Sequence, residues 1–480
     1  MTGDVPPDFP GGRREHPEVM RQQNEEFSVL VVATLSSFIT PFMGSSVNIA
    51  LPAIARAFSM DAVLLGWVST SYLIASAVFL LPLGRAADIL GRKRIFMGGI
   101  LVFTLMCLCI PLAWNTWIFL LLRVIQGLGG AMIFSTSMAI LTEVTRPDRR
   151  GRAIGITVAA VYGGLTMGPF VGGFLTDRFG WRSIFFLCSI LGAAALLTAQ
   201  RCIREDRRGR TSGRLDLFGS MVYSLSLVSL MIGFSILPAF RGFAVMSAGI
   251  IALGAFILWE RNHPFPVLDM KLLCSNRVFA YSNAAAFIHY GATFSISFLL
   301  SLYLQYIRGM SPSQTGLILL TQPAAMTVLS PLAGRLSDRI EPRIMASSGM
   351  ALTAFGLAAL SFLGEHTAPG TILVCLAVIG IGFSLFSSPN TNAVMSSVPK
   401  SDYGVASGVI STMRMTGQSF SMGVVLVLFS LLIGRSTITP QTGEAFMSAF
   451  RLGFLFFCIL CIPGIFASLA RGDVRGGEAG

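Results

Sequence analysis

The chain has 480 residues, of which only 12% are Asp, Glu, Lys or Arg, about half the ~25% typical of soluble globular proteins. With 53% hydrophobic residues and a mean hydropathy of +0.72, a soluble fold is excluded. A formal charge of +12 would suit either a nucleic-acid partner or a membrane, and its placement along the chain decides between them.

A helix needs about 18 or more uncharged residues to cross ~30 Å of hydrocarbon. Such runs occur at 27–55, 62–84, 95–122, 124–142, 153–176, 183–200, 217–240, 242–259, 278–307, 309–334, 344–364, 366–399, 415–434 and 452–470. The thirteenth helix is expected to start near 403, with Arg414 inside it. Long unbroken runs, rather than alternating segments of ~10 residues, point to helices and not to a membrane barrel. The expected class is an all-α integral membrane protein with 14 transmembrane helices.

If the N-terminus is cytoplasmic, 26 of the 35 basic residues fall on the inside and 6 on the outside, with Arg123, Arg414 and Arg451 in or at the edge of spans. Both termini are therefore expected to face the cytoplasm of a multi-pass cell (inner) membrane protein, and the positive charge marks topology, not nucleic acid. Trp67, Trp114, Trp117 and Trp181 fall at outer helix ends and Trp259 at an inner one, where amphipathic rings meet the lipid interface. The first 26 residues lack the pattern of a cleavable signal peptide.

The segment Pro82-Leu83-Gly84-Arg85-Ala86-Ala87-Asp88 recurs as Pro331-Leu332-Ala333-Gly334-Arg335-Leu336-Ser337-Asp338. Duplication matches helices 1–6 to helices 9–14 and leaves helices 7 and 8 as an inserted pair. The expected organisation is an N-terminal tail (1–26), a six-helix bundle (27–200), a basic linker (201–216), an inserted pair (217–259), a second linker (260–277), a second six-helix bundle (278–470) and a C-terminal tail (471–480).

Four motifs now resemble the major facilitator superfamily, specifically its 14-helix drug:proton antiporter branch. Gly84-Arg85-Ala86-Ala87-Asp88-Ile89-Leu90-Gly91-Arg92-Lys93-Arg94 is similar to the family's loop 2–3 motif, with Ala86 and Ile89 departing from it. Arg123-Val124-Ile125-Gln126-Gly127-Leu128-Gly129 is similar to its helix 4 motif. Gly155, Gly164, Gly168, Pro169, Gly172 and Gly173 match the antiporter motif of helix 5, and Asn48-Ile49-Ala50-Leu51-Pro52 resembles the end of the helix 1 motif. The resemblance implies a conformational latch of Gly84, Asp88, Gly91, Arg92 and Glu143. Its second copy, at Asp338, is degraded, because Glu341 and Pro342 stand where Gly91 and Arg92 stand in the first. Gly164, Gly168 and Gly172 at i, i+4 and i+8 present a helix face that a neighbour can approach closely.

No carboxylate lies in the middle of a span, and Met43 occupies the place where the family's branch carries a helix 1 acid. The candidate substrate and coupling cavity is assigned to Arg123, Gln126, His289, Tyr290, Arg414, Asn48 and Tyr72. For Arg123 a second reading is a structural partner of Gln126 or of backbone carbonyls. His289 is the one deep side chain with an unperturbed pKa near physiological pH, ~6.5, which makes it the candidate proton carrier; the other reading is a structural histidine hydrogen-bonded between helices. A cation-bearing interior without acids favours neutral or anionic substrates over permanent cations.

The expected activity is secondary active export of small amphiphilic compounds by alternating access, as in multidrug efflux, in exchange for protons. An importer or facilitator of a specific small molecule, uncoupled from protons, is the alternative. No cofactor, metal site or catalytic residue set is expected: nucleotide-binding and H-E-x-x-H motifs are missing, and Cys458-x-x-Cys461 sits in an apolar helix without ligating neighbours. The chain is expected to work as a monomer in the lipid bilayer.

Overall fold

The computed structural model describes residues 17–146, 149–202, 216–264, 273, 275–337, 339–399 and 403–472. Among these there are no strands. Fourteen helices are long and apolar enough to cross a membrane: α1 (Glu26–Phe58), α2 (Ala62–Leu90), α3 (Arg92–Leu112), α4 (Thr116–Val144), α5 (Arg152–Phe179), α6 (Arg182–Arg201), α7 (Leu217–Ile236), α8 (Phe240–Asn262), α9 (Arg277–Ile307), α10 (Pro312–Ser337), α11 (Pro342–Ser361), α12 (Pro369–Ser396), α13 (Val405–Leu432) and α14 (Gly443–Ala470).

Helix starts follow from local polar chemistry. Asp61, Asn115, Asp216 and Asn276 each accept the backbone N–H three residues on with their side-chain oxygen, at 2.7–3.0 Å. Ser311 and Gln314 form a reciprocal capping box at the start of α10. The apolar runs mark the membrane portion but not the helix ends. The helix containing α1 begins at Pro17, inside the expected N-terminal tail, because helical hydrogen bonding continues through a polar sequence once it has left the bilayer. The last helix begins at Gly443 rather than at 452. Arg451 does not interrupt it, since its Nε donates to Leu363 O at 3.3 Å. The thirteenth helix does run from Tyr403. Trp181 departs from the interfacial pattern: it is 5% exposed and packs among Phe58, Phe119 and Phe185. Most of the basic linker 201–216 lies outside the described residues.

The two sets of six helices pack alike. In the first, α1 lies against α5, α6 and α4, while α4 also packs on α2 and α3, and α3 on α6. In the second, α9 lies against α13, α14 and α12, while α12 packs on α10 and α11, and α11 on α14. Each of these contacts of one half has its counterpart in the other. The halves meet along two matched seams, α5 with α10 and α2 with α13. The helix α7 lies over the second seam, against α2 and α13, and α8 packs on α7. An even number of spans brings the start of α1 and the end of α14 to one end of the bundle, called proximal below; the opposite end is distal.

Candidate functional site

The helix 4 motif folds inward. Arg123 is 1% exposed, and its Nε donates to Val68 O at 3.1 Å and its Nη1 to Gln126 Oε1 at 2.5 Å. The guanidinium lies over the Tyr72 ring, 4.8 Å from its centroid, and Gln126 Nε2 reaches Cys107 Sγ of α3. All these groups belong to the first six helices. The contacts of Arg123, Gln126 and Tyr72 thus lie inside one half, with Gln126 and a backbone carbonyl as the partners of Arg123. A buried guanidinium demands such partners, because each unpaired donor at membrane depth is costly.

Asn48 sits where α1 meets the other half. Its Oδ1 accepts the Ser69 hydroxyl of α2 at 2.9 Å. Pro52 has no N–H to offer the Asn48 carbonyl one turn back. That freed carbonyl accepts the Ser301 hydroxyl of α9 at 2.7 Å, and Gln305 Nε2 donates to Ile49 O at 2.9 Å. The proline of the helix 1 motif therefore supplies an acceptor for the opposite half.

The glycines of α5 serve two surfaces. A Cβ on Gly164 would lie 2.4 Å from Phe38 O, and one on Gly172 2.8 Å from Ser46 Cα, while Gly168 faces Ser45, all of α1. Ser46 Oγ donates to Gly168 O at 2.9 Å. The other face meets α10: a Cβ on Gly173 would be 2.5 Å from Pro312 O, and one on Gly316 2.1 Å from Pro169 O. Ser313 Oγ donates to Asp177 Oδ2 at 2.7 Å at the distal end of this seam. Nearer the proximal end, Gly155 is exposed and has nothing within 4 Å of its would-be Cβ. The motif is therefore a closing surface in its distal part only.

Near mid-depth, hydroxyl groups from both halves converge. Tyr162 of α5 and Tyr290 of α9 each place their phenol oxygen against Ser387 Oγ of α12, at 3.4 and 3.3 Å. Thr166 of α5 meets Thr327 of α10 at 2.9 Å. Arg414 of α13 lies over the Phe134 ring of α4, 5.8 Å from its centroid. Its Nε is buried without a hydrogen-bond partner.

His289 faces away from this group. It is fully buried, stacked on Phe386 at 4.0 Å and beside Phe383 at 4.9 Å. Neither ring nitrogen has a hydrogen-bond partner among the described residues. Neighbours on one helix thus divide: Tyr290 turns to the seam and His289 into the aromatic interior of the second half. Of the residues assigned to the cavity, Tyr290 reaches the group where the halves meet and Arg414 contacts the opposite half at Phe134, whereas the contacts of Arg123, Gln126, Tyr72 and His289 lie within one half.

At the proximal end, Arg92 Nη2 pairs with Asp88 Oδ1 at 2.8 Å and Nη1 with Glu143 Oε2 at 3.2 Å. Gly91 links α2 to α3 with φ +112°, a conformation that glycine adopts without strain; Gly84 is close to Ser135. Asp338 lies outside the described residues. In the second half, where Pro342 replaces the arginine, Arg471 arrives from the end of α14. It is 1% exposed and donates from Nη1 to Asn390 Oδ1 (2.9 Å) and Ser282 Oγ (3.2 Å), and from Nη2 to Pro342 O. Burial lowers its pKa to about 10, opposed by the Glu341 carboxylate. Sequence reasoning left Arg471 in a tail. It also passed over Tyr162, Thr166, Ser301, Gln305, Thr327 and Ser387. Tyr162 could have been flagged as the polar aromatic beside Gly164, and Ser387 as part of the polar run through Asn390 in an otherwise apolar helix.

A family model described as Major Facilitator Superfamily matches residues 33–262 and 283–478. The chain is 32% identical over 402 residues to Multidrug resistance protein Stp of Mycobacterium tuberculosis, covering 82% of this chain and 74% of that one. It is 30% identical to Cephamycin export protein CmcT of Amycolatopsis lactamdurans, over 94% of each. In fold it is similar to a bacterial homolog of the human lysosomal transporter Spinster, solved inward-facing and unoccupied, with a TM-score of 0.65 and 16% identity over 96% of this chain and 98% of that one.

Proposed function

The chain belongs to the Major Facilitator Superfamily, and from that premise we propose that it exports small amphiphilic compounds by alternating access, in exchange for protons. It is a transporter and not an enzyme. The observation that carries the reading is the closure of the distal seam, where hydrogen bonds from Ser301, Gln305 and Ser313 join the halves. The Arg92 latch, for its part, is satisfied wholly within the first half. With the positive-inside orientation, the reading is of a carrier in the cell membrane with its outer side sealed, the state that would collect a substrate for export. Relatives named for drug resistance and cephamycin export support the direction.

In this reading the hydroxyl group at mid-depth holds the substrate, Arg414 discourages permanent cations, and a single chain suffices because the working seam is internal. His289 is the coupling candidate, with Tyr290 as its route to the seam. One observation favours the second reading, a facilitator or importer driven by its substrate alone: Met43 is fully buried in the position of the branch's acid, and His289 is enclosed by rings. Reconstitution into liposomes with an imposed pH jump and a panel of neutral, anionic and cationic compounds separates the two. Proton-coupled export requires movement of the compound against its own concentration gradient, driven by the pH jump and abolished in His289→Gln if that residue carries the proton. Equilibration that ignores the pH jump would establish the facilitator instead.

A further inference from the structure

Arg414 is the one arginine that the structure places on the seam between the halves at mid-depth. Phe134, from the opposite half, is its recorded contact, and its Nε is buried without a partner. A ring face offers a guanidinium roughly 0.5–2 kcal/mol, well short of the hydrogen bonds that five N–H donors can make. Arg123 and the Nη atoms of Arg471, by contrast, donate to side-chain and backbone oxygens within one half. Elsewhere between the halves the phenols of Tyr162 and Tyr290 meet at Ser387, and such hydroxyls can donate to an anion as well as accept from a donor.

We infer that Arg414 is the specificity-determining residue of a site for small aromatic organic anions. The ligand's carboxylate would take the guanidinium fork, its ring would stack on Phe134, and the hydroxyl groups of Tyr162 and Tyr290 would complete the shell. Guanidinium binds a planar carboxylate through two parallel N–H donors, a geometry that a lysine cannot reproduce. Because Phe134 and Arg414 belong to opposite halves, a ligand bridging them would feel the relative position of the halves directly. The inference deepens the export reading by naming the substrate class and depends on that reading only for the direction of movement.

The test is binding to the purified full-length protein in detergent by isothermal titration, with three probes that share one ring: 2-naphthylacetate, its primary amide, and a 2-naphthylmethyl trimethylammonium salt. The wild-type protein should prefer the carboxylate to the amide by about tenfold or more and bind the ammonium least. Arg414→Gln should abolish the preference for carboxylate over amide, and Arg414→Lys should restore part of it. Carboxylate binding that is absent or no tighter than that of the amide, or a preference that survives in Arg414→Gln, would overturn the assignment. The first comparison needs no variant and so does not depend on any variant folding. Uphill transport of the neutral amide without a carboxylate preference would reject this site while leaving export intact. A carboxylate preference in binding without uphill transport would do the reverse.

Discussion

Gly316→Ala tests whether the α5–α10 seam is a closing surface. An added Cβ at Gly316 would lie 2.1 Å from Pro169 O and 2.9 Å from its carbonyl carbon. Close C–H···O contacts are about 3.3–3.6 Å, so the helices must separate locally by roughly 1 Å, and the obstacle is backbone that cannot rotate away. Overpacking of this kind costs about 1–3 kcal/mol. Since the two residues belong to different halves, the cost falls on the distally closed state alone and should shift the conformational equilibrium by about 5- to 150-fold. Gly164→Ala is the control. Its Cβ would meet Phe38 O at 2.4 Å within one half, where the packing persists in both states, so it should lower thermal stability without moving the equilibrium. Spin labels on Phe179 and Phe362, exposed residues near the distal end of each half, would report the separation by electron–electron resonance. Gly316→Ala should populate a longer distance and Gly164→Ala should not. An unchanged distance together with equal loss of stability in both variants would show that the seam is ordinary packing.

Further consequences follow from the same geometry. Ser301→Ala with Gln305→Ala removes two cross-half hydrogen bonds, each a net ~0.5–1.5 kcal/mol, and should lengthen the same label distance; Pro52→Ala, which returns an N–H to the Asn48 carbonyl, should act in the same direction. Arg92→Ala breaks ion pairs whose side chains are 26–29% exposed, so the thermal midpoint should fall by no more than the equivalent of about 1 kcal/mol, while transport in liposomes drops several-fold; a large loss of stability would make Arg92 a structural staple rather than a latch. Arg471→Ala should behave in the opposite way, because three buried acceptors on α9, α11 and α12 lose a charged donor, each bond worth about 1.5–3 kcal/mol though not additively. A thermal midpoint equal to wild type would refute that role, and Arg471→Lys should recover part of the loss.

The contrast between Arg123, Arg414 and Arg471 shows where reading along the chain stops. All three stand out as cations in or beside apolar helices, yet one is enclosed in the first half, one faces the seam and one pins the second half together. Which way a helix face turns depends on its neighbours, and a lone arginine carries no periodicity that would reveal them. The glycine motif was legible as a close-packing surface. That it closes against α1 on one side and α10 on the other, and leaves Gly155 in open space, required the packed helices. His289 and Tyr290 are adjacent in sequence and were read together; a helical step of about 100° per residue sends them to different environments.

Membrane class, span number and the twofold repeat of a six-helix unit are legible in the sequence alone, because the length of an apolar run, the side on which charge gathers and the recurrence of a motif are local properties. The degraded second loop motif was equally legible, but its replacement by Arg471 was not, since that partner arrives from the far end of the chain. Only the tertiary structure decides the seam: Tyr162, Ser387 and Tyr290 lie on three helices far apart in sequence, and a site made where two repeats meet exists in neither repeat by itself.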